Sequence, residues 1–219
     1  GFHRLSINDI SESGNQPMVL NDYYLICNGE IFNHQKIIDE YGFKTKSKSD
    51  CEVILHLYSY LIEKINEDNS IPYNDVMNIL CNKLDGEFSF VLYDKLRNYI
   101  YVARDPYGVR PLFIGATTNN DIVFSSELKG LNNLVESAKQ FEPGSYMVIG
   151  NNIPQLKLEV THNKYHNIQL FDHIANNDII KENEILESLN NFFREAVYKR
   201  MMSDKEICSL LSGGLDSSL

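Results

Sequence analysis

The 219 residues contain no tryptophan, no CxxC pair and no apolar run of membrane-spanning length. The missing CxxC and the wide spacing of Cys27, Cys51, Cys81 and Cys208 exclude a disulfide framework and a zinc-finger-type site. All four cysteines sit in apolar or amphipathic runs, where a free thiol behaves as a small buried hydrophobe, and this suits a reducing, cytosolic setting. No signal peptide is expected from the opening residues, and without a run of about 20 apolar residues no membrane partner is expected. Positive charge is also scarce. The net charge of −10 excludes a broad phosphate-backbone footprint, so nucleic acid is not an expected partner. There is no internal repeat and no GxxxxGK[ST] loop.

What is present is apolar and rich in tyrosine and phenylalanine. With 43% hydrophobic residues, 13 Tyr and 11 Phe, the chain can build a large core with many strands. Residues 23–27 (YYLIC) read as a short strand leading into NGEIFNH, and Ile37–Tyr41 as helical. In SKSDCEVILHLYSYLIEKIN, Val53, Leu57, Tyr60, Leu61 and Ile65 recur at helical spacing. Ser49 with Glu52 three residues on fits a capping box at the start of that helix. Residues 75–84 read as another helix. The period then shortens: EFSFVLYD, NYIYVAR, PLFIGA, DIVFSSE, GSYMVIG and IPQLKLEVTH read as strands, with DKLRN as a hairpin connection. Residues 1–165 are thus expected to form an α+β layered domain with much antiparallel sheet. Residues 166–181 read as a linker. An amphipathic helix follows, with Ile185, Leu189, Phe192, Phe193, Ala196 and Val197 on one face, then a strand EICSLL and the loop SGGLDSS, the expected opening of a second, α/β domain at 182–219.

SGGLDSS after an apolar strand is a phosphate-binding arrangement. Gly213 and Gly214 let backbone amides approach an anion, and Ser212, Ser217 and Ser218 add hydroxyl donors. Asp216 would repel phosphate directly and makes chemical sense as a ligand for a bridging Mg²⁺. The spacing of His162 and His166 would suit a metal on a helix, but no carboxylate accompanies them and a solvated stretch is the plainer reading.

The loop resembles the pyrophosphate loop of ATP pyrophosphatases. FHRLSI, NGEIFNH, SDCEVILHLY, LDGEFSFVLYD, ARDPYGVRPLF, SSELKGL and LLSGGLDSSL follow the order and spacing of the glutamine-hydrolysing asparagine synthetases. NGEI and RDPYGVRPL are also similar to the glutaminase domain of amidophosphoribosyltransferases. The resemblance implies an Ntn-hydrolase-type four-layer αββα sandwich (a class II glutamine amidotransferase domain), followed by the start of a Rossmann-like α/β ATP-pyrophosphatase domain. It implies glutamine, aspartate and ATP as substrates, Mg²⁺ as the metal, and leaves a homodimer open. Glutamine hydrolysis would supply ammonia, and aspartate and ATP would give β-aspartyl-AMP, which ammonia converts to asparagine.

Carried over to these residues, the resemblance implies that Arg4 holds the α-carboxylate of glutamine, worth roughly 1.5–3 kcal/mol. Leu5, Ser6, Ile7 and Asn8 would line the pocket. The Asn28 side chain and the Gly29 N–H would form the oxyanion hole, Glu30 would fix polar groups of the substrate, and Asp50 would take the α-ammonium. Leu210 would touch adenosine; Ser212, Gly213, Gly214, Asp216 and Ser217 would hold pyrophosphate and its metal. Arg104, Asp105 and Arg110 are expected to form a buried ion pair or to brace the pocket, a structural role rather than direct substrate contact. The family nucleophile is an N-terminal cysteine whose own α-amine is the base. The sequence begins at Gly1 and does not show it, and each of its four cysteines carries an amide nitrogen that cannot serve as that base. Both ends therefore read as cut, and the 219 residues alone are expected to be inactive. A β-lactam-forming synthetase with the same loop, or a degenerate homologue that only binds glutamine, are the alternative readings.

Overall fold

The computed structural model describes residues 7–68, 72, 75–152, 157–167 and 182–218. The described residues form two antiparallel sheets with helices on one outer face. The large sheet has strand order β1-β2-β3-β4-β8-β9: β1 (Met18–Leu20), β2 (Tyr23–Ile31), β3 (Gly86–Asp94), β4 (Tyr99–Arg104), β8 (Ser145–Asn152) and β9 (Lys157–Lys164). The small sheet has order β6-β5-β7: β5 (Phe113–Ala116), β6 (Ile122–Ser125) and β7 (Ser137–Gln140). Helices α1 (His34–Tyr41), α2 (Val53–Asp68) and α3 (Val76–Lys83) complete this part.

The period-two alternation of strands assigns each face. Phe88, Phe90 and Leu92 of β3 with Tyr101 and Ala103 of β4 join Val53, Ile54, Leu57, Tyr58 and Leu61 of α2 in one core. Val91, Ile100, Val102, Met147 and Ile149 point the other way, toward Ile114, Ile122 and Phe124 of the small sheet. A helix layer, the large sheet and the small sheet thus stack as three of the four expected layers. At neighbouring positions of the β3–β4 pair the buried Asp94 accepts from the Tyr58 hydroxyl (2.9 Å) and from the Arg97 N–H (3.0 Å), which shapes the hairpin read from DKLRN.

Several local expectations change. The strand over YYLIC continues through Ile31, so NGE is strand rather than loop; it pairs Asn28 with Ser89 and Gly29 with Phe88. The capping box does not form. Ser49 makes no side-chain cap bond; Glu52 instead accepts from the N–H groups of Lys46 (2.8 Å) and Ser47 (2.7 Å). A 3-10 turn, Asp50–Glu52, then leads into α2. Burial on α2 is wider than the heptad-like stripe, taking in Ile54, Leu55, Tyr58 and Ile62, because the helix is covered by both the sheet and α3.

Beyond residues 168–181, which include most of the proposed linker and lie outside the described residues, α4 (Glu182–Lys199) forms as expected and its apolar face, with Leu189, Phe192 and Val197, is exposed. EICSLL is not a strand. Among the described residues no strand pairs with it, and an extended segment without a partner has no ladder to join. Ile207 and Leu211 are accordingly exposed, and so is Cys208, against the expectation of a buried thiol; Cys27, Cys51 and Cys81 are buried. A short helix, α5 (Leu215–Ser218), closes the described chain.

Candidate functional site

A cavity of about 590 Å³ opens between the end of β2, the Asp50 turn and the small sheet. Ile7, Asn8, Asn28, Gly29, Glu30 and Asp50 all line it, so six of the expected glutamine-pocket residues converge from three stretches of chain. Arg4, Leu5 and Ser6 lie outside the described residues.

The floor of the cavity is a bare strand edge. Strand β1 pairs with β2 only over Tyr23–Leu25, so β2 outruns its neighbour. Odd-numbered residues beyond that point turn their N–H and C=O groups toward the uncovered edge. Gln16 substitutes for a strand at Cys27: its Oε1 accepts the Cys27 N–H at 2.7 Å and its Nε2 donates to the Cys27 carbonyl at 2.9 Å. Asp50 does the same at Ile31, accepting that N–H on Oδ2 at 2.6 Å. Alternation places the Gly29 N–H between these two filled positions, facing the cavity. Gly29 is required by the close approach of β3: a Cβ would stand 2.3 Å from the Glu87 carbonyl oxygen and 2.7 Å from Phe88 Cα.

Asp50 is buried, and its second oxygen, Oδ1, accepts from Asn8 Nδ2 at 3.3 Å. The Glu30 carboxylate pairs with Arg110 at 3.0 Å. Burial pushes the Glu30 carboxyl above its ordinary value; the Arg110 charge opposes this, while Asp50 and Glu87 add to it. Cys27 packs in the core beneath the helices and the Cys51 thiol donates toward the Gly29 carbonyl at 3.5 Å. A hydrogen bond with Cys27, and then burial, push the Cys51 thiol well up, so Cys51 offers no ready thiolate.

The ARDPYGVRPLF segment is a braced loop. The buried Arg104 guanidinium donates to the carbonyls of Gly108, Arg110 and Phe141 at 2.7–2.8 Å. Asp105 accepts from the N–H groups of Tyr107 (3.1 Å), Val109 (3.0 Å) and Arg110 (3.0 Å). Arg110, by contrast, reaches the cavity and Glu30. Gln16 and the cavity-facing position of Arg110 are what sequence reasoning missed. Nothing in the spacing signals either, since they lie 12 or more positions from NGE; the ion pair with Glu30 fits the bracing role expected of Arg110, and only its place in the cavity lining is new.

The SGGLDSS loop lies apart from the cavity lining and is exposed. Gly213 takes a left-handed φ of 79° with nothing within 4 Å of where a Cβ would stand. The Ser212 and Ser217 hydroxyls bond each other at 2.9 Å, and Ser218 donates to the Gly214 carbonyl at 2.7 Å. Among the described residues no three His, Cys, Asp or Glu side chains cluster as a metal site. His162 Nε2 instead meets the Ser145 hydroxyl at 2.8 Å, and His166 packs against Tyr107.

Comparison with known proteins matches two family profiles. One, described as a glutamine amidotransferase domain, covers residues 2–133; the other, described as asparagine synthase, covers 188–219. The chain is 37% identical over 237 residues to the asparagine synthetase [glutamine-hydrolyzing] of Homo sapiens. It is 35% identical over 231 residues to the probable asparagine synthetase [glutamine-hydrolyzing] of Acanthamoeba polyphaga mimivirus. Both alignments take in 100% of this chain and 39% of the relative, so the chain spans about two fifths of their length. Among solved structures, the glutamine phosphoribosylpyrophosphate amidotransferase of B. subtilis superposes with a TM-score of 0.54 at 22% identity, over 71% of this chain and 33% of that one. That likeness shows the fold, an Ntn-type class II amidotransferase sandwich. The profile covers more than half of the sequence, and the chain belongs to the glutamine amidotransferase domain family.

Proposed function

We propose that this chain is the glutamine-hydrolysing part, with the threshold of the synthetase part, of an ATP-dependent asparagine synthetase. Residues 1–165 form the amidotransferase domain, 166–181 the linker and 182–219 the start of the ATP-pyrophosphatase domain. The observation that carries the reading is the cavity in which Asn8, Asn28, Gly29, Glu30 and Asp50 converge on a bare strand edge.

Glutamine would enter with its α-ammonium toward Asp50 Oδ1 and Asn8, and its α-carboxylate toward Arg4. An N-terminal cysteine thiol, with its own amine as base, would attack the side-chain amide. The carbonyl oxygen then gains negative charge, which the Asn28 Nδ2 group and the Gly29 N–H would share. Ammonia leaves, and water releases glutamate: glutamine plus water gives glutamate plus ammonia. Glu30, held by Arg110, keeps the polar end of the pocket ordered. The ammonia would serve amide formation on aspartate adenylated by ATP, with AMP and pyrophosphate as products. For the nucleotide, the open left-handed turn at Gly213 and the hydroxyls of Ser212 and Ser217 suit a polyphosphate, with Leu210 beside adenosine. Within the loop, Asp216 supplies the carboxylate that would bind Mg²⁺. A cytosolic setting fits these substrates.

The test is Asn28→Ala in a full-length form carrying the N-terminal cysteine. Glutamine-dependent turnover should fall about 10²–10³-fold, the usual loss for one oxyanion donor, while ammonia-dependent asparagine formation persists. Equal loss of both would make Asn28 structural and sink the assignment.

A further inference from the structure

The stretch 199–204, from the last residue of α4 onward, touches the cavity-lining residue Ile7 on one side and, on the other, the end of the β2–β3 pair that carries the cavity-lining Glu30. On one side the Asp204 N–H donates to the Ile7 carbonyl at 3.1 Å, and Asp204 Oδ2 accepts the Asp9 N–H at 2.9 Å. These two bonds bracket Asn8, whose side chain donates to Asp50. Asp9 is itself a knot: it is buried, has a left-handed φ of 51°, and its carboxylate accepts from the Ser11 N–H (3.1 Å), Ser13 Oγ (3.2 Å) and the Lys48 N–H (2.8 Å). Lys48 stands two residues before Asp50. On the other side Lys199 pairs with Asp85 at 2.6 Å and Arg200 with Glu87 at 2.8 Å, and the Arg200 guanidinium lies 4.9 Å from the centre of the Phe32 ring. Glu87 is the β3 residue paired with Glu30 of β2, and Phe32 and Asp85 lie just past the end of that pairing.

We propose that Asp204 is a positioning residue for glutamine binding. It fixes the Ile7–Asp9 loop against the Asp50 turn, so that Asn8 and Asp50 present one geometry to an α-ammonium group. The clasp is built from residues that the sequence places with the synthetase part, and the amino-acid pocket is built from the amidotransferase part. Glutamine affinity therefore depends on where the end of α4 sits. Asp204 touches neither glutamine nor the reacting atoms; it acts through two backbone groups of the loop. This inference rests on the amidotransferase reading above.

The experiment measures glutamate release against glutamine concentration, and asparagine formation from ammonia, in the full-length protein. Asp204→Ala removes the acceptor for Asp9 N–H, and should raise the glutamine KM about three- to tenfold with kcat within about twofold. Ammonia-dependent synthesis should be unchanged. Asp204→Asn keeps an oxygen at the same place and should stay within about twofold of wild type in KM. Hydrogen exchange at the Asp9 amide, read independently of activity, should quicken in Asp204→Ala and not in Asp204→Asn. An unchanged KM in Asp204→Ala, an Asn variant as impaired as the Ala variant, or equal loss of ammonia-dependent synthesis would each overturn the inference while leaving the amidotransferase reading intact. A wild-type enzyme that releases no glutamate from glutamine would overturn both.

Discussion

Glu52 is the side chain that holds the Asp50 turn in place, and its removal has a calculable cost. Its buried carboxylate accepts from the Lys46 N–H (2.8 Å), the Ser47 N–H (2.7 Å), the Ser47 hydroxyl and His56 Nε2 (3.2 Å). Burial alone would raise its pKa, but the bonds from His56, Lys46 and Ser47 outweigh it and bring the carboxyl from 4.5 down to about 2. At about 1.4 kcal/mol per unit, that displacement is worth at most about 3.5 kcal/mol of stability at neutral pH. The sign follows from linkage. A carboxylate whose folded pKa is depressed contributes fully above its unfolded value near 4.5, and the contribution is lost as pH falls toward 2. Glu52→Gln puts an amide where two or more donors need an acceptor, so it should lower stability by about 2–3 kcal/mol at pH 7. With a urea m-value of about 2 kcal/mol per molar, the unfolding midpoint should drop by about 1 M. Circular dichroism against urea at pH 7, 5 and 3 reads the effect. The gap between wild type and variant should hold from pH 7 to pH 5 and shrink by pH 3. A variant as stable as wild type at pH 7, or a gap that stays the same at pH 3, would refute the reasoning.

Gly29→Ala and Gly42→Ala separate two reasons for glycine. At Gly29 the new Cβ collides with the backbone of Glu87 and Phe88, so β2 and β3 must part, and a loss of about 3 kcal/mol or failure to fold is expected. At Gly42, which ends α1 with φ 67° in open space, only the left-handed backbone is strained, at about 1 kcal/mol; melting curves of the two variants compare them directly. The 219-residue polypeptide starting at Gly1 should release no ammonia from glutamine above a protein-free blank, because none of its cysteines pairs a thiol with a free α-amine.

The elements with strong periodicity were legible. α2 shows a 3.6-residue apolar stripe and β3, β4 and β8 alternate, because each buries one face or two defined faces in a core. β1 and β7 were not. β1, MVL, has only three residues and is too short to show a period, and every residue of β7, SAKQ, is exposed, so no apolar pattern marks it; they are strands only because β2 and β5 supply partners. EICSLL shows the reverse failure. Its apolar pattern promises a buried strand, yet hydrogen-bonded pairing is a property of two segments, and none of the described strands lies beside it. Glu52 likewise had the right spacing for a capping box, but the amides of Lys46 and Ser47 were the better donors, and no spacing rule ranks such competitors.

The site was legible to the extent that its chemistry is local. Asn28, Gly29 and Glu30 are consecutive, and Asp50 sits at a helix start, so quoted motifs could carry them. What makes them a pocket is not local. β1 stops opposite Leu25, so β2 continues with one edge unpaired. An unpaired edge buried in a domain must find other partners. Gln16 takes the groups of Cys27 and Asp50 takes the N–H of Ile31. Gly29 lies between them, with β3 pressed so closely behind that no side chain fits. The short β1 is thus the structural cause of the cavity, and lengthening it would pair the very amide that the proposed chemistry leaves facing the substrate. Asp50 serves two ends at once: Oδ2 closes the strand edge, while Oδ1, held by Asn8, faces the cavity. Its burial is tolerable because both oxygens have donors, and an α-ammonium would add a charged one.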